Sequence, residues 1–155
     1  MRFITAFVFI LLAVGCATLE TNSRSLRTGD RTFTVTGFSG NYSNARELAY
    51  LRAAQETLIA GFNYFEITRE LQNEEEEITT TPGRYEYRTD EDGNEYEEFI
   101  PSTTSVSVTY SYILEIRALN DVEKSEYDEK GFRYNDAQTI YDQLAPKWIP
   151  EERER

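Results

Sequence analysis

The sequence contains no histidine and only one cysteine, Cys16. Without histidine the chain lacks the usual proton shuttle near neutral pH, the commonest metal ligand and the base of most serine or cysteine triads. A lone thiol excludes an intramolecular disulfide. Positive charge is also scarce, with 16 Lys and Arg against 28 Asp and Glu and a formal charge of −12. Phosphate recognition rests on Lys and Arg displacing counterions, so no nucleic-acid partner is expected. There is neither a glycine-rich phosphate loop nor a Gly-x-Ser-x-Gly elbow. A Ser-Lys enzyme stays formally open without a motif in its favour. The chain therefore reads as a non-enzyme with no catalytic residue, metal ligand or cofactor.

What the sequence does hold is aromatic mass: 11 Tyr, 9 Phe and one Trp supply large apolar groups that a disordered acidic chain lacks. At 155 residues it is about one domain's worth, with one small core.

The beginning of the chain has the layout of a secretory signal peptide. Arg2 gives a positive start, Phe3 to Val14 is apolar but for Thr5, and Gly15 is small. As a helix this run spans roughly 18 Å, short of the ~30 Å hydrocarbon core, so a permanent transmembrane anchor is disfavoured. Leu12-Ala13-Val14-Gly15-Cys16 resembles a bacterial lipobox. That resemblance implies cleavage between Gly15 and Cys16, diacylglycerol on the Cys16 sulfur and acylation of the new amino terminus. Ala13 and Val14 are permitted variants of its commonest form. The alternatives are an ordinary signal peptide with an incidental cysteine, or an uncleaved signal anchor. Each buried methylene contributes about 0.8 kcal/mol, so several acyl chains make membrane attachment nearly permanent. Ala17, where the enteric sorting rule associates Asp with inner-membrane retention, favours the outer membrane facing the periplasm.

Residues 1–15 are thus expected to be a signal peptide and 16–30 a lipidated start and flexible tether. The alternative is that the tether packs on the domain. A strand is expected over Arg31 to Phe38, with Phe33 and Val35 on one face. Ser43 is expected to cap a helix from Asn44 to Ala60 with Leu48, Leu51, Ala54 and Leu58 as one stripe, ended by a left-handed Gly61. Phe62 to Arg69 changes to the strand period. Glu74 to Glu77 and Thr79 to Gly83 read as a solvated loop.

Tyr85, Tyr87, Tyr96 and Phe99 flank Asp90-Glu91-Asp92-Gly93-Asn94, which suggests a Tyr-rich acidic hairpin with an Asp-Gly turn. A calcium reading of it fails the EF-hand pattern, since the sixth and twelfth positions from Asp90 hold Glu95 and Pro101. Weak cation binding there remains an alternative. The clearest strand is Thr104 to Leu119, apolar on one face throughout. Asn120 to Gly131 reads as a charged connection. Asn135 is expected to cap a short helix from Asp136 to Ala145, closed by Pro146.

The element order is that of an α+β fold: one small domain over residues 31–149, a mainly antiparallel sheet with a long helix and a shorter C-terminal helix on one face. An acidic loop and hairpin insertion occupies about 72–103, and 150–155 form a frayed tail.

Thr32 to Ile67, with Leu51-Arg52-Ala53-Ala54 on the helix and Gly61-Phe62-Asn63-Tyr64-Phe65 entering the next strand, resembles a small family of proteobacterial lipoproteins of unknown function. The resemblance implies envelope location and fold and supplies no catalytic residue. The helix motif also has a packing explanation, in which Ala53 and Ala54 let the helix approach the sheet; Arg52 could instead serve a partner. The expected function is a non-enzymatic periplasmic binding or scaffolding domain, held to the membrane by lipid on Cys16 and presenting tyrosines and acidic loops to an envelope protein. The alternative is a small-ligand or cation binder using the acidic hairpin.

Overall fold

The computed structural model describes residues 22–149. Gly15 and Cys16, with the rest of the segment expected to be a signal peptide, lie outside the described residues. Over the described residues the fold is α+β, with three helices, a five-stranded mainly antiparallel sheet and a small two-stranded one. In chain order the elements are β1 (Ser23–Arg27), β2 (Thr32–Ser39), α1 (Tyr42–Ile59), β3 (Tyr64–Thr81), β4 (Arg84–Thr89), β5 (Glu95–Ile100), β6 (Thr103–Leu119), α2 (Asp121–Lys130), β7 (Asn135–Asp136) and α3 (Ala137–Trp148). The larger sheet runs β1-β2-β6-β3-β7. The chain forms two compact units, residues 22–74 with 109–149, and Glu75–Val108.

In the larger unit alternation along β2, β3 and β6 buries Phe33, Val35, Phe65, Tyr112, Leu114 and Ile116 on one face. Helix α1 lies on that face. The expected single stripe along it is two: Ala45, Ala49, Ala53 and Ala54 join the sheet cluster, whereas Leu48 and Leu51 pack with Tyr141, Leu144 and Trp148 of α3. A helix buried on two sides needs two apolar faces, and small residues go where the backbones must be close. Gly37 of β2 shows how close they are. A Cβ there would stand 2.1 Å from the Ala45 carbonyl oxygen and 2.6 Å from the Ala49 nitrogen. Asn41, rather than Ser43, caps α1, its Oδ1 accepting from the Ser43 and Asn44 amides at 2.9 and 3.3 Å. Gly61 does take the left-handed conformation, with φ +83°.

Five other expectations are corrected. The tether reading fails over Ser23–Arg27, which pairs antiparallel with β2. Its arginines supply what its apolar content lacks, with Arg24 over the Phe38 ring at 5.3 Å and Arg27 over Phe33 at 5.9 Å. The acidic loop is strand: β3 continues through Glu74 to Glu77 as far as Thr81, stopping before Pro82. Extended backbone sends successive carboxylates to opposite faces, and all four are exposed, so repulsion is weak.

The charged connection after Asn120 is helix α2. It has no buried residue, so it gives no apolar period; it is held by an Asn120–Glu123 capping box and by pairs such as Lys124 with Asp128 at 2.6 Å. Asp136, not Asn135, caps α3, accepting from the Thr139 amide at 2.8 Å. That helix runs past Pro146 to Trp148, because Lys147 and Trp148 both donate to Glu47 of α1, at 2.5 and 3.1 Å, and hold the last turn down.

In the smaller unit β4 and β5 pair from Arg84↔Ile100 to Thr89↔Glu95. The Asp90 carboxylate closes the tip by accepting from the Asp92 and Asn94 amides at 3.0 and 2.8 Å, and Gly93 sits at φ +88°. The apolar face of β6 is not covered along its whole length. Val106 is 58% exposed, and full burial begins at Tyr112.

Candidate functional site

Two polar constellations stand out in the larger unit, and their chemistry differs. The first joins β3, β6 and α2 on the sheet face opposite Phe65 and Ile116, as the strand alternation requires. Arg117 donates to Glu66 at 2.5 Å, to Glu123 at 2.7 Å and to the Tyr127 hydroxyl at 3.1 Å, while Tyr127 donates to the second Glu66 oxygen at 2.5 Å. Arg31 closes the set on Glu123 at 2.6 Å. The Asn120 amide, with Arg31 and Arg117, holds Glu123 below the usual carboxylate range, and the bond to Glu66 raises the Tyr127 phenol. Donors and acceptors in this set satisfy one another. Its work is to fasten α2 to the sheet, in place of the apolar contacts that helix lacks.

The second constellation surrounds two open clefts of about 360 and 620 Å³ that adjoin at Tyr50 and Asn135, which line both. Helix α1 provides Arg46, Glu47 and Tyr50; β3 provides Ile67, Arg69 and Glu70; and Phe132 to Asn135 form the facing wall. Local sequence explains the opening. Asp136 starts α3 immediately after β7, so β7 pairs only with Tyr64 and Phe65, and the chain before Asn135 leaves the β3 edge. The departing wall is fixed in place. Gly131, at φ +67°, ends α2, and the Tyr134 hydroxyl donates to Asp128 at 2.9 Å while its ring packs edge-on to Tyr64 at 5.5 Å.

Charge in the larger cleft runs against the chain's general sign, with Arg69 and Arg133 against Glu70 as its one lining carboxylate. Among the described residues neither Arg133 nor Arg46 has a carboxylate within 4.0 Å, and Arg46 lies over the Tyr50 ring at 5.2 Å. Glu47 is already engaged. Its bonds from Lys147 and Trp148 hold it below the usual carboxylate range against the opposing effect of desolvation.

General acid catalysis by a carboxyl group requires a raised pKa. Glu47, Asp90, Glu123 and Asp128 are all shifted down. Among the described residues no group of three or more His, Cys, Asp or Glu is placed to hold a metal ion. The Asp90 carboxylate is committed to its own turn, where the Asn94 side chain donates to it as well, at 3.1 Å. Arg52 turns inward. It pairs with Glu56 at 3.0 Å with 17% of its side chain exposed, a packing role and not a partner-facing one.

The residues of the cleft were not singled out by sequence reasoning. Arg46, Arg69 and Arg133 are spread across the chain in ordinary polar contexts, and their elements meet only through the packing of α1 on the sheet together with the β3–β7 pairing. Compared with protein-family models, curated proteins and solved structures, the chain shows no match. Among the described residues no helix is long and apolar enough to cross a membrane.

Proposed function

We propose that the protein is a lipid-anchored component of a Gram-negative envelope, attached through Cys16, whose folded part is a non-enzymatic binding or scaffolding domain. The anchoring half rests on the apolar run ending in Leu12-Ala13-Val14-Gly15-Cys16. The binding half rests on one observation above others: Tyr85, Tyr87, Tyr96 and Phe99 of the β4–β5 hairpin are 65, 78, 47 and 54% exposed. Tyrosine combines a large rigid contact area with a hydrogen-bonding tip and loses little entropy when fixed. Four aromatic rings left to water on one small hairpin are matched to a partner surface better than to a solvated turn. The absence of histidine from the whole chain and the downward shifts of the perturbed carboxylates favour binding over catalysis.

The test is crosslinking in intact membranes followed by mass spectrometry, comparing the natural protein with a variant carrying Tyr85→Ser and Tyr87→Ser. A reproducible protein partner, reduced several-fold by the double substitution, is the expected result. Loss of the binding reading would follow from crosslinks no richer than those of an unrelated membrane-anchored control.

A further inference from the structure

What the β4–β5 hairpin leaves unpaired specifies the chemistry of its partner, a conclusion that rests on the binding reading above and deepens it. Residues directly opposite one another on an antiparallel pair share a face. Tyr85↔Phe99, Tyr87↔Glu97 and Thr89↔Glu95 therefore make one face of the hairpin, and Arg84↔Ile100, Glu86↔Glu98 and Arg88↔Tyr96 make the other. The second face is closed on itself. Arg84 pairs with Glu86 at 2.6 Å, and Arg88 with Glu98 at 2.7 Å and more distantly with Glu86 at 3.9 Å. On the first face neither Glu95 nor Glu97 has a Lys or Arg within 4.0 Å among the described residues. Beside them Tyr85, Tyr87 and Phe99 are each more than half exposed. These rings are not loose: those of Tyr85 and Phe99 pack with centroids 5.1 Å apart, and Phe99 lies where a Cβ on Gly83 would stand 2.8 Å from its tip.

The whole smaller unit lacks cover. None of residues 75–108 is buried, and a two-stranded hairpin left to water is marginal in stability. The unit carries ten Asp and Glu against two Arg, and those two are the arginines already paired on the closed face.

We propose that the face bearing Tyr85, Tyr87 and Phe99 docks a Lys- and Arg-bearing segment of another protein, whose cations lie over the rings and reach Glu95 and Glu97. A cation is drawn to the face of an aromatic ring by the ring quadrupole, and the neighbouring carboxylates and the acidity of the unit give the approach its sign. The same charge opposes other occupants. A second copy brings a hairpin of like sign, and an anionic lipid surface is repelled. A divalent cation would use the carboxylates and leave the rings idle.

The test is fluorescence anisotropy with the full chain in uncharged detergent micelles. The probe is a short fluorescein-labelled peptide of alternating Lys and Thr, and its control is a peptide of alternating Glu and Thr. Saturable binding of the Lys peptide alone is expected, weakened about tenfold by Tyr85→Ser with Tyr87→Ser and about threefold by Glu97→Gln. Tyr87→Phe, which keeps the ring, and Tyr96→Ser, on the closed face, are expected to bind as the natural protein does. Should the double serine variant misfold by circular dichroism, Glu97→Gln against Glu91→Gln carries the test, because each removes one charge and Glu91 lies in the turn outside the paired strands. Absence of binding would overturn the proposal, as would equal weakening by Tyr96→Ser or by Glu91→Gln, since general charge would then explain the affinity. Equal binding of the Glu peptide, a requirement for calcium, or a dimer that closes this face and excludes the peptide would overturn it too. A membrane crosslink from the hairpin to a neutral or acidic segment of a partner would remove this inference and leave the binding-domain reading standing.

Discussion

Gly37→Ala is expected to be among the most damaging single-methyl additions in this protein. The new Cβ would stand 2.1 Å from the Ala45 carbonyl oxygen and 2.6 Å from the Ala49 nitrogen, where ordinary contact begins at 3.4 Å. Both obstacles are helix backbone, so no side-chain rotation relieves them. Helix α1 must retreat by roughly 1 Å, and a gap of that size forfeits about a quarter to a half of each contact it opens. The contacts at stake are those of Ala45, Ala49 and Leu48, all fully or almost fully buried. Overpacking of this kind costs about 3 kcal/mol. For a domain of this size that is a fall of roughly 10 °C in Tm.

Gly61→Ala is the matched control: Gly61 has φ +83° but nothing within 4 Å of a Cβ, so it carries only left-handed strain of about 1 kcal/mol. Urea unfolding followed by circular dichroism gives both values. A loss at Gly37 below about 1 kcal/mol, or one no larger than at Gly61, would refute the close approach of α1 to β2.

Two further predictions concern the polar devices that hold the helices. The carboxylate of Glu123 is held below its ordinary value, so the unfolded chain binds the proton more readily than the folded one as pH falls toward and below about 4.3. Its contribution is therefore complete above that pH and is lost as pH drops through the folded value; Glu123→Gln is expected to lower Tm at pH 7 and to flatten its decline between pH 5 and 3, and a parallel decline in both proteins would contradict this. Trp148 is the single tryptophan, so its emission reports the α1–α3 contact directly. Glu47→Ala removes the acceptor of both Lys147 and Trp148, and a red-shifted emission with fraying of the last turn of α3 is expected; an unchanged spectrum would mean that apolar packing alone holds that turn.

Legibility in the sequence followed apolar contrast. β6, α1 and the β4–β5 hairpin were legible because each carries alternation, a helical apolar period or an Asp-Gly turn that survives inspection of one segment at a time. Strand β1 was hidden because Ser23-Arg24-Ser25-Leu26-Arg27 is polar, and its place depends on arginines covering Phe33 and Phe38 of the neighbouring strand. The extension of β3 through four glutamates and the charged helix α2 were hidden for a related reason. Neither buries a face, and their stabilising partners are a paired strand and a network through Arg117. One local signal for α2 was present, Asn120 followed three residues later by Glu123. The cleft was the least legible part. It arises where a two-residue strand gives out, and a pairing that ends early leaves no mark in composition or periodicity.

The proposed attachment to a membrane by lipid at Cys16 leaves a covalent mark on the protein. Intact-mass and N-terminal peptide mass spectrometry of the protein extracted from its native membrane tests it most directly. The expected first residue is Cys16 carrying thioether diacylglycerol and an amide-linked acyl chain, with Gly15 absent; recovery of an unmodified Cys16 inside a chain that still begins at Met1 would rule the attachment out.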